Sequence, residues 1–346
     1  MKRIIIGLFL LSLLAIPVDA QNITAPPVPP EAEKFMPESQ ENFLEGVLEV
    51  LRDALLALRP DLRDSLKTCL RIFSAVMLLS LLQIFPGSQQ CACSLGGIVG
   101  ISCILLDRTE SLISLAVSTV SDISEYGKLL LPVMTAAMAG QGSITASAAL
   151  YTQTAFFSSL LCSAIRKILI PITYIFLLTA IISNATENDL IKGIRDTLKS
   201  VMGWVLKTFL YLYTGFISIT GVVSGATDAA ALKATKLTIS SMVPVVGGIL
   251  SDASEAVLVS AGAVKNAAGI YGLFAILAIL IGPFLKISAH YLLLKATATV
   301  CGVFCNKQCT ELIQHFSSAM GMLLAMTGSI SLMLYIGLVC FLRGVM

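Results

Sequence analysis

Apolar runs long enough to cross a bilayer recur from Thr68 onward, and few charges interrupt them. A helix rises about 1.5 Å per residue, so about 20 apolar residues match the hydrocarbon core. Spans are read near 69–86, 94–106, 143–163, 168–184, 204–224, 267–285, 287–304 and 320–341. The fold class expected is therefore all-α: a polytopic helical membrane protein with about eight transmembrane helices. A β-barrel would instead show short alternating segments. Of 346 residues, 56% are hydrophobic and 13% charged. A soluble domain carries about 25% charged residues, so an ordinary soluble enzyme is excluded. The net charge of +2 also excludes a basic nucleic-acid binder and an acidic disordered tail.

The first residues read as a signal peptide, 1–20. Lys2 and Arg3 form the positive end, Ile4 to Ile16 is an apolar stretch too short for a comfortable crossing, and Val18-Asp19-Ala20 offers small residues to a peptidase. Cleavage after Ala20 is expected, with an uncleaved anchor as the other reading. Residues 21–67 are then extracytoplasmic, and 68–346 form the polytopic membrane domain. Gln21 to Gln40 is rich in Pro and Glu and is expected to be an extended linker. In the following stretch, Leu44, Leu48, Leu51, Leu55, Leu58 and Leu62 recur at alternating steps of four and three, which keeps one apolar seam on a helix. Two readings stand for the seam: a docking surface for a partner, or a helix lying on the bilayer or on its own membrane domain.

Two segments look like half-helices, Leu129 to Gly140 around Pro132 and Met242 to Leu250 around Pro244. Pro132 and Pro171 are separated by the same interval as Pro244 and Pro283, which suggests a weak internal repeat of the transporter kind or a coincidence among common residues. Gly96-x-x-x-Gly100 and Gly221-x-x-x-Gly225 would let helix backbones approach closely.

Little in the chain suggests catalysis. Lys286 and His290 lie four apart and share a helix face, either toward a cavity or subunit contact or with the lysine reaching back to the interface. Lys207 and Lys265 invite the same two readings. Cys301, Cys305 and Cys309 share a face, but without a fourth clustered cysteine or a histidine pair they read as buried thiols. Gly193 to Ser200 ends like a phosphate loop, yet Leu198 stands where the second glycine is required. No cofactor, metal or catalytic set is expected, and the chain is not expected to be an enzyme.

The most distinctive stretch runs from Gly221 to Gly272. It contains Gly225-Ala-Thr-Asp-Ala-Ala-Ala-Leu-Lys-Ala-Thr-Lys236, Met242-Val-Pro-Val-Val-Gly-Gly248, Asp252-Ala-Ser-Glu255 and Lys265-Asn266-Ala-Ala-Gly269-Ile-Tyr-Gly272. This pattern resembles the stage III sporulation protein AE family of endospore-forming bacteria. The resemblance implies a membrane-embedded subunit of a secretion or feeding channel between mother cell and forespore, needed during sporulation after engulfment. It implies a multi-pass place in the mother-cell membrane surrounding the forespore. It also implies partners: other membrane and ring-forming subunits of the stage III sporulation complex, its ATPase, the forespore channel component and membrane lipid, with no nucleic acid. An autonomous secondary transporter for a small solute or ion is the alternative. Within this stretch Lys233 and Lys236 share a helix face, as do Asp252 and Glu255, and in a membrane such groups must meet water, protein or a pore. Together with Pro244, Gly247, Lys265 and Asn266 they are the candidates for a pore, gate or subunit contact. The other reading is a surface helix whose charges are solvated.

Overall fold

The computed structural model describes residues 26–37, 43–82, 90–186, 188–242, 247–304 and 307–343, with the side chains of 82, 90–94, 220–261 and 304 outside the description. The signal peptide, 1–20, lies outside the described residues. Every regular element among the described residues is helical. A short turn, α1 (Pro30–Glu33), precedes α2 (Phe43–Ala57) and α3 (Arg59–Leu82). Then come α4 (Gln90–Gly140), α5 (Ile144–Ala164), α6 (Ile170–Thr186), α7 (Asp189–Met242), α8 (Gly247–Phe304) and α9 (Lys307–Arg343).

Among the described residues, four helices are long and apolar enough to cross a membrane: Ile144–Thr186, Asp189–Ile219, Gly262–Val303 and Lys307–Arg343. The expected eight are not confirmed. The stretches 143–163 and 168–184 are not two antiparallel spans but parts of one rod of 43 residues. Likewise 267–285 and 287–304 fall within one apolar stretch of 42 residues. Each separation in the sequence is a short break in hydropathy without a turn. Arg166 and Lys167 mark the first break, and there α5 joins α6 through a π-helical segment, Ile165–Leu169. Pro171 explains the widened turn, because it lacks an N–H and its ring crowds the carbonyl four residues back. Lys286 marks the second break, just after Pro283, which sits inside α8. Pro132 likewise sits inside α4, a continuous helix of 51 residues, so Leu129–Gly140 is not a separate half-helix. Pro244 lies outside the described residues.

The core is built mainly where α9 packs on α8 and both pack on α4. Small residues permit the approach: a Cβ at Gly127 would sit 2.9 Å from Leu334, and one at Gly272 would sit 2.6 Å from Leu130. Among the described residues, nothing lies within 4 Å of such a Cβ at Gly96 or Gly100. The linker's described part lies on α8, where Phe35 is buried and faces Gly282. Gly46, Val50 and Ala54 turn α2 inward, with Phe43 and Gly46 against Phe274 of α8.

Candidate functional site

Three helices bring charge together at the Lys286 break. Asp61 enters from the first turn of α3, where a carboxylate suits the positive helix end. Lys286 Nζ of α8 lies 3.1 Å from Asp61 Oδ2, and Arg108 Nη2 of α4 lies 3.9 Å from Oδ1. One turn beyond Lys286, His290 is 1% exposed, and neither ring nitrogen has a hydrogen-bond partner among the described residues. Next to this junction is a cavity of about 110 Å³ lined by Glu31, Ser118, Thr119, Asp122, Gly282 and Lys286. The shared face of Lys286 and His290 was legible in the sequence. Asp61 and Arg108 were not singled out, because charges near predicted helix ends carry no sign of which neighbour they meet.

A second polar cluster joins α6, α7 and α9. Arg195 is buried, and its Nη1 lies 2.7 Å from His315 Nε2 and 3.3 Å from Ser183 Oγ. Its Nε donates to Asp196 Oδ1 at 3.0 Å. Arginine only donates, so Nε2 of His315 must accept, and the ring carries its proton on Nδ1. Phe176 meets the histidine ring edge-on at 6.3 Å. Arg195 and His315 are 120 residues apart, so no local pattern pairs them.

The seam leucines stay together but face outward. Leu44, Leu48, Leu51, Leu55 and Leu62 are exposed and Leu58 is half-buried, while the opposite face of α2 meets α8. Lys265 is buried on α8 and the adjacent Asn266 is exposed. The side chains of Lys233, Lys236, Asp252 and Glu255 and the whole of Pro244 lie outside the description, and Gly247 is the first residue of α8. Among the described residues no group of His, Cys, Asp and Glu is arranged to hold a metal ion.

A family model described as "Stage III sporulation protein AE" matches residues 45–343, a range containing α3 through α9 and nearly all of α2. A curated relative, "Stage III sporulation protein AE" of Bacillus subtilis (strain 168), is 23% identical over 197 residues. That alignment takes in 57% of this chain and 49% of the relative, so the chain matches about half the relative's length. No solved structure matches. The extent of the family match, across both charged junctions and all four apolar helices, places the chain in the stage III sporulation protein AE family.

Proposed function

We propose that this chain is the membrane-embedded, non-catalytic subunit of a channel between mother cell and forespore, required after engulfment. It sits as a multi-pass protein in the mother-cell membrane surrounding the forespore. It works with the ring-forming and membrane subunits of the stage III sporulation complex, its ATPase and the forespore channel component. The observation that carries this reading is the family match across 45–343, which makes the chain a sporulation protein. Four apolar helices of spanning length suit a membrane-embedded role. The outward leucine seam of α2 suits a subunit that works against a partner or the bilayer. The autonomous-transporter reading rests on half-helices around Pro132 and Pro244 and a weak repeat; Pro132 lies within a continuous helix, and Pro244 lies outside the described residues.

The test is an in-frame deletion, complemented from a separate locus, with heat-resistant spores counted. Spores should be lost after normal engulfment, with forespore development arrested, and the second copy should restore them. Normal spore yield from the deletion strain would overturn the proposal.

A further inference from the structure

An open groove runs between α7, α8 and α9. Its volume is about 560 Å³, and its walls come from Leu206 and Leu210 of α7, Leu280 and Phe284 of α8, and Leu332 and Tyr335 of α9. All three helices contain stretches long and apolar enough to cross a membrane, so the groove opens toward acyl chains. Small residues leave the space: Gly203 and Gly328 line the groove, and nothing lies within 4 Å of a Cβ at either. One charge interrupts the apolar lining, that of Lys207, and among the described residues no carboxylate lines the groove. Lys207 is exposed and has no ion pair among the described residues. Lys199 is also exposed, and it donates to Ser318 Oγ of α9 at 3.3 Å. Lys199, Gly203 and Lys207 follow one row of α7 at steps of four.

Along α7 these groups stand in the order of a phospholipid's parts. Lys199 meets Ser318, just before the apolar run of α9 that starts at Met320, and so marks the membrane edge. Lys207 stands about 12 Å further along the helix. Helical side chains lean toward the N-terminus, so its ammonium reaches back toward Gly203 and the edge. Gly203 puts no side chain between the two lysines, and the groove beyond them is hydrocarbon. An unpaired ammonium below the membrane edge is costly, and a phosphate over Gly203 offsets that cost. A partner's helix seated there would have to bring a carboxylate to the same level, whereas a phospholipid carries its phosphate there already. A zwitterionic headgroup would find no carboxylate for its own ammonium. We propose that this groove binds one anionic phospholipid, with its phosphate between Lys199 and Lys207 and an acyl chain lying over Leu206, Leu210 and Leu332. The site stands independently of the channel reading.

The test uses the full chain, purified and reconstituted with phosphatidylglycerol or with phosphatidylcholine of the same acyl chains. Retained lipid is counted by native mass spectrometry. The wild type should retain one phosphatidylglycerol in preference to phosphatidylcholine. Lys199→Gln and Lys207→Gln should each weaken its retention about fivefold, the effect of one basic side chain at an anionic surface. Lys207→Arg should keep it. Gly328→Leu fills the groove without changing its charge and should displace the lipid. Equal retention of the two lipids by the wild type, or unchanged retention after both lysines are replaced, would overturn the anionic site. Undiminished retention by Gly328→Leu would take the acyl chain out of the groove and overturn the proposal. If a variant fails to accumulate, phosphatidylglycerol with a photoactivatable acyl chain is applied to the wild-type chain. Crosslinks should then map to Leu206, Leu210 and Leu332, and crosslinks confined to other positions would overturn the site. Loss of those crosslinks in membranes carrying the assembled complex would assign the groove to a partner's helix and likewise overturn it.

Discussion

At the scale of single residues, the stability of the bundle depends on a few buried polar atoms that have one good partner each. Arg195 is the clearest case. Its guanidinium is buried, and His315 accepts from Nη1 at 2.7 Å across an interface of three helices. Removing the acceptor leaves a buried charge-bearing donor short of a bond, at a cost of about 1–3 kcal/mol. His315→Ala should therefore lower the thermal midpoint in detergent, whereas His315→Gln, which offers a carbonyl oxygen, should lower it less. A double-mutant cycle with Arg195→Met checks that the loss belongs to the pair.

At the scale of elements, the helices owe their arrangement to small residues at a few crossings. Gly272 and Gly203 separate packing from propensity. A Cβ at Gly272 would lie 2.6 Å from Leu130 and 3.1 Å from Leu338, whereas one at Gly203 has nothing within 4 Å. Alanine favours the helix by about 0.5–1 kcal/mol at either site. Overpacking at Gly272 costs about 1–3 kcal/mol. Gly203→Ala should thus raise the thermal midpoint and Gly272→Ala should lower it. The same scale shows what could be read from the sequence and what could not. The leucine spacing of α2 was legible because periodicity is local. The fusion of 267–285 with 287–304 was not, because one lysine at 286 interrupts hydropathy just as a loop would, and its ion pair with Asp61 is invisible in the chain order.

At the scale of the whole molecule, the apolar stretches of the longest rods exceed the bilayer. An apolar stretch of 42 residues in α8 is about 63 Å long, roughly twice the hydrocarbon thickness. Charge indicates which half is embedded. Lys265 and Lys286 bracket a segment of spanning length in α8, and the Asp61–Arg108–Lys286 junction closes its lower end. Antiparallel to it, α9 is continuously apolar from Met320 to Phe341 and ends in Arg343. The two helices are held in register by Ser317, which donates to the Tyr291 carbonyl at 3.2 Å. Below that register the first turns of α9 and α7 are charged, with Lys307 and Glu311 on the one and Asp189, Lys192 and the Arg195 cluster on the other. The bilayer is therefore expected to surround 266–285 and 320–341. The remainder of α8, from Ile287 to Val303, should project beyond the Lys286 level. Leu332 and Val303 are both exposed and should report opposite surroundings. With a fluorophore at each position in bilayers, a quencher confined to the acyl chains should quench strongly at Leu332 and weakly at Val303. Equal quenching would place the lower half of α8 in hydrocarbon and require Lys286 to be buried within the membrane with its carboxylate partner.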